Sequence, residues 1–173
     1  DKSFVRPRSD ARFDMLVSVQ EYAAEHLNAP GQYTGSGPEG AVAAQVRHGC
    51  HFGRPGQAAA TTGAGSDLEN IVAACRRAVT RDDGELAVNL LEHAWTSLKL
   101  QGPYQVASDL ASRLLDLSQP RADVKARAHW VAGNAMHHGG HDAKAYAQFE
   151  AAVSLSRECG DKIGEAQAQR ILG

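Results

Sequence analysis

Small residues at helical spacing dominate the stretch from Lys125 to Gly173 and restrict what this chain can fold into. Ala128, Ala132, Ala135 and Met136 share one face of a first helical pattern. Ala145, Phe149, Ala152 and Val153 share one face of a second. Recurrence at three and four residues marks a buried helical stripe. Alanine and glycine on that stripe demand close approach of a neighbouring helix, because a loose fit would leave them little to touch. Gly139 and Gly140 break the chain between the two patterns, since glycine alone enters left-handed turn geometry cheaply.

This arrangement resembles a tetratricopeptide repeat. The family places a small residue midway along a first helix, glycine in the turn, a small residue opening a second helix, then a large apolar and a small residue. Gly133, Gly140, Ala145, Phe149 and Ala152 occupy those places here. His129 stands where a large apolar residue is usual, and the closing proline is absent. Gly173 repeats the context of Gly133 after 40 residues, and Gly102 precedes Gly140 by 38. That register places Trp95 where a small residue is usual, a departure from the pattern.

The charge of −2 over 173 residues gives no field to recruit nucleic acid or an anionic membrane. No apolar run approaches the ~18 residues that span a bilayer. Cys50, Cys75 and Cys159 are three scattered cysteines, which favours a reduced, cytoplasmic setting over a disulfide framework. Cys75 and Cys159 fall on helical patterns, where a thiol acts as a small hydrophobe. The chain starts without Met or a signal pattern and stops inside a helical one, so a segment of a longer protein is expected.

At the N-terminus, residues 3–7 and 11–15 read as two strands around a polar turn at Arg8, Ser9 and Asp10. Leu16, Val19, Ala23 and Leu27 then form a helical stripe. The order of these segments resembles a junction in multidomain signal-transduction ATPases, where a winged-helix domain ends in a β-wing and a helix leads into repeats. Asp1-Lys2-Ser3-Phe4-Val5 would be one wing strand and Arg12-Phe13-Asp14-Met15-Leu16 the other. Residues 28–38 form a loop, Glu39 to Phe52 a helix, and residues 53–65 a weakly patterned, mobile loop.

Ser66 and Glu69 have the spacing of a capping box. It opens a helix with Leu68, Ile71, Val72, Cys75 and Val79 in line. Leu86 to Leu100 and Val106 to Leu117 follow as helices, separated by Gly102-Pro103. The run from Asp67 to Leu117, with Asp83-Gly-Glu-Leu-Ala, Trp95 and Gly102, resembles the start of the repeats in the same ATPases.

Candidate chemistry is sparse. His48-Gly-Cys-His51 offers three ligands without the second pair that a closed zinc site needs. His137, His138 and His141 cluster at a helix turn, where histidine suits the negative end of a helix. Thr62-Gly-Ala-Gly-Ser66 lacks the lysine of a phosphate loop and reads as linker. No metal, cofactor or catalytic residue is assigned, and no enzyme activity is expected.

Binding is the better prospect. In tetratricopeptide proteins the first helix of each repeat presents ligands on the concave face. By that resemblance the contact residues are Asn89, Glu92, Thr96 and Lys99 in one repeat, Arg127, Trp130, Asn134 and His137 in the next, and Arg170 in the third. The fold class is therefore all-α: a right-handed tetratricopeptide-like helical-hairpin solenoid with a short N-terminal β-hairpin remnant. Residues 1–16 are the hairpin, 17–65 a helical linker with its loop, and 66–173 the repeats, the last one truncated. The expected function is a non-catalytic protein-interaction and regulatory module of a larger signalling ATPase or transcription regulator. Its partner is a protein, a peptide or another domain of the same chain, and no membrane. Self-association is expected through the unpaired final helix, whose apolar side is read as Ile163, Ala166, Ile171 and Leu172. The alternative is a nucleic-acid-binding segment using Phe4, Arg6, Arg8 and Arg12 as a basic wing.

Overall fold

The computed structural model describes residues 4–7, 13–54 and 67–172, and the chain divides into two compact units at residue 47. The expected turn at residues 8–10, most of the loop at 53–65 and the Ser66 cap lie outside the described residues.

In the first unit, β1 (Val5–Pro7) and β2 (Phe13–Met15) pair antiparallel, with Val5 opposite Met15 and Pro7 opposite Phe13. Helix α1 (Val17–Asn28) is tied to the hairpin by Gln20 Nε2, which donates to the Met15 carbonyl at 2.9 Å. None of its residues is buried. The stripe of Leu16, Val19, Ala23 and Leu27 is therefore not a core stripe: Leu16 is 49% exposed. Ser36 organises the next turn, its hydroxyl donating to the Ala29 carbonyl at 2.8 Å. Helix α2 (Pro38–Phe52) starts on a proline, whose fixed φ and missing N–H suit the first helical position.

The second unit, residues 48–173, contains the end of α2 and six further helices: α3 (Leu68–Thr80), α4 (Gly84–Gln101), α5 (Tyr104–Leu115), α6 (Ala122–His138), α7 (Asp142–Cys159) and α8 (Lys162–Leu172). From α3 onward each helix packs on the next in sequence. In addition α4 packs on α6, α3 touches α5, and α6 touches α8. Such neighbour-on-neighbour packing follows when a helical pair cannot bury both apolar faces and the next pair must cover it.

Turn chemistry sets the breaks. Asp83 caps α4 by accepting from Leu86 N at 3.2 Å. Asp82 stands at φ 60°, and its carboxylate accepts from Ser118 N at 3.2 Å and from the Ser118 hydroxyl. The loop after α3 is thereby joined to the loop after α5. Gly140 and Gly160 take φ of 78° and 76°, where a side chain would be strained.

The core runs from Ile71 on α3 to Ala135 on α6. On α3 the buried line is Ile71, Ala74, Cys75 and Ala78. Val72 and Val79 sit at its edge, so the stripe is turned from the one read in the sequence. Helix α4 buries eight residues over much of its circumference, because α3, α5 and α6 all lie against it. Trp95 is 4% exposed, with His138 edge-on at 5.2 Å and Tyr104 at 6.4 Å. A large residue is accommodated there by aromatic neighbours on α5 and α6.

Between α6 and α7, a Cβ at Gly133 would stand 2.7 Å from the Phe149 ring. His129, in the place of an apolar residue, donates from Nδ1 to Gln148 Oε1 at 2.8 Å. A second cluster of Ala152, Val153 and Ala168 joins α7 to α8, with Trp130 and Leu172 against it. The buried residue of α8 is Ala168, whereas Ile163 is 73% exposed and Ala166 is exposed. Cys159 is also exposed and is not part of an apolar stripe, because the helix turns that position outward.

Candidate functional site

Helices α4, α6 and α8 carry the residues read as ligand contacts. Arg127 on α6 reaches back to α4. Its Nε donates to Glu92 Oε1 at 2.9 Å and its Nη2 to Glu92 Oε2 at 2.6 Å. Nη2 also donates to Asn89 Oδ1 at 2.6 Å, and Nη1 lies 3.4 Å from Glu85 Oε1. The two-pronged bond matches the planar fork of a guanidinium to a carboxylate. The hydrogen bond to Glu92 raises the Arg127 guanidinium above its ordinary range, against the opposing effect of burial. Three of the residues read as ligand contacts, Asn89, Glu92 and Arg127, are thus brought together and engaged with one another.

The others separate. Thr96 donates to His93 O at 2.7 Å, and Asn134 Nδ2 to Trp130 O at 2.8 Å, each within its own helix. His137 bonds Asp142 Oδ1 at 2.7 Å in the turn after α6. Lys99 and Arg170 are exposed.

Trp130 is half-buried and packs against both apolar clusters. Its Nε1 is closed off from solvent and has no hydrogen-bond partner among the described residues. Beside the ring lies a pocket of about 180 Å³. Ala126, Ala152 and Ser156, all nearly inaccessible, line it with small side chains. Ile163, Gly164, Gln167, Asp161, Arg127 and Glu92 complete the lining. Asp161 Oδ1 accepts from Gly164 N at 3.0 Å, capping the start of α8. A Cβ at Gly164 would run into the Asp161 carboxylate and stand 2.9 Å from Ser156 Oγ, so glycine keeps this corner open.

The half of the pocket contributed by α7 and α8 escaped the sequence reading. The 40-residue spacing that placed Arg170 after Trp130 also places Gln167 after Arg127, and that signal was present. Asp161 was a second clue, because an aspartate directly before a helical pattern reads as a helix cap.

Burial, then Arg77, then His51 lower the pKa of His48, whose Nδ1 has no hydrogen-bond partner among the described residues. The end of α2 is held by His93 Nδ1, which donates to the Phe52 carbonyl at 2.6 Å. Burial pushes the Cys75 thiol up to about 12. Among the described residues no three histidine, cysteine or acidic side chains converge as a metal site. No described helix is long and apolar enough to cross a membrane. Compared with known proteins, the chain matches no family model, no curated protein and no solved structure.

Proposed function

We propose that the second unit is a non-catalytic protein-interaction module: a right-handed, tetratricopeptide-like solenoid whose inner groove takes a peptide or a segment of another domain. Its setting is a larger cytoplasmic signalling ATPase or transcription regulator. The observation that carries this reading is the half-buried Trp130 beside a pocket between the inner helices α6 and α8. Indole rings set in small pockets are common anchors of protein interfaces. The Arg127–Glu92–Asn89 network then acts as the rigid wall of the groove rather than as the contact itself.

The test is the indole N–H resonance of Trp130, assigned by its loss in Trp130→Phe, during titration with a panel of short peptides of varied charge. Saturable shifts of that resonance, with the Trp95 signal unmoved, support a groove ligand. No shift with any peptide at millimolar concentration counts against it. If this chain instead binds duplex DNA with a steep salt dependence that Arg6→Ala removes, the basic-wing reading takes precedence.

A further inference from the structure

Resting on that reading of the groove, we infer that the pocket beside Trp130 receives a lysine or arginine side chain of the bound peptide. Three observations meet here. First, the charge around the pocket is uneven. Arg127 is already forked onto Glu92, which neutralises that pair. Asp161, on the opposite rim, has no cationic partner among the described residues, and its Oδ1 is the one occupied by the Gly164 amide. Among the residues that line the pocket one negative charge is left over, enough to complement one cation.

Second, Ser156 is only 2% exposed and lines the pocket, with its Oγ on the same side as the Asp161 carboxylate beside Gly164. A hydroxyl oxygen at a pocket wall can accept from a donor of a ligand. An ammonium or guanidinium carries only donors and satisfies Ser156 Oγ and Asp161 together. Third, the Trp130 ring, Ala126, Ala152 and the 73% exposed Ile163 supply apolar surface for the methylene stem of such a side chain. The indole adds attraction to a cation over its face. A carboxylate ligand finds no such complement, because the guanidinium that would receive it is already bound.

The experiment uses four nine-residue peptides with glycine and serine flanks and a central Lys, Arg, norleucine or Glu, followed through the Trp130 indole resonance at low salt. The expected order is Lys or Arg first, norleucine about fivefold weaker, and Glu weakest, with the difference shrinking as salt rises. Asp161→Asn keeps a capping side chain but removes the charge. It should reduce the preference for Lys over norleucine to about twofold or less. Gln167→Glu alters an exposed rim position and keeps the fold testable if Asp161→Asn fails. It should widen the preference. Equal binding of the Lys and norleucine peptides, or an unchanged preference in Gln167→Glu, overturns the cation assignment and leaves the groove standing. Silence from all four peptides removes both.

Discussion

Gly133 on α6 lies so close to the Phe149 ring on α7 that a Cβ would stand 2.7 Å from Cε1 and 2.9 Å from Cδ1. Both residues are buried, with Phe149 1% exposed. The absence of a side chain at one position is what makes room for the largest fully buried side chain at the other. Gly133→Ala should therefore destabilise by about 1–3 kcal/mol through overpacking. Phe149→Ala should cost about 3–5 kcal/mol through the cavity it leaves. Chemical denaturation followed by circular dichroism measures both. The double variant Gly133→Ala/Phe149→Leu should lose less than the two single changes together, since a smaller ring-side group relieves the clash.

Arg127 joins α6 to α4 through a half-exposed network. Arg127→Lys should lose the second prong to Glu92 and cost about 1 kcal/mol, while Arg127→Ala should cost somewhat more by also removing its packing. A thermal melt at low and high salt checks this, and the wild-type advantage should narrow as salt rises.

His48 gives a pH dependence of definite sign. Its pKa is lowered in the folded chain, first by burial and then by Arg77 and His51. The unfolded chain then binds the proton more readily. Its contribution is present above the ordinary value of 6.5 and is lost as pH falls through the lower folded value. Stability should drop as pH falls from 7 towards 5. His48→Phe, tolerable beside the Phe52 ring 5.0 Å away, should flatten that slope in melts across the same range.

Cys75 is buried and donates weakly to the Ala87 carbonyl at 3.4 Å. Cys50 and Cys159 are exposed. A thiol reagent at pH 8 should modify two cysteines quickly and the third only on unfolding, as mass spectrometry would resolve. With the Cys75 pKa raised from 9.0 to about 12, its share of stability is intact below pH 9 and is lost as pH climbs through that interval. Rapid labelling of all three would contradict the packing of α3 on α4.

Ile163 is 73% exposed at the start of α8, where only one side of the helix is covered. We expect weak self-association through that side, seen as a concentration-dependent mass by light scattering. Ile163→Ser should abolish it. A monomer at all concentrations tested would remove the expectation.

The helical pairs were legible because their signals are local. Gly133 on α6 and Ala145, Phe149 and Ala152 on α7 stand at the register positions of such a pair, and all four are buried. The same spacing on α1 misled, because Leu16 and Ala23 are patterned like a core face and yet exposed. Periodicity reports amphipathicity, not what covers the face. The groove was half legible. Trp130 could be placed by register, but whether Arg127 faces a ligand or Glu92 depends on residues 35 positions apart in sequence. The pocket needed Asp161, Ser156 and Gly164 to converge from two helices and a turn, which no single-helix pattern records.

Helix α4 is enclosed by α3, α5 and α6, whereas α8 leans on α7 and only slightly on α6. Opening therefore proceeds from the α8 end inward, and α8 can peel away while α4 stays closed. In deuterium exchange the amides of Leu90, Leu91 and Ala94 would be the last to label, marking the slowest-opening part of the unit. Those of Gln167 and Arg170 would label among the first, so the strip that holds the pocket is also the strip that breathes.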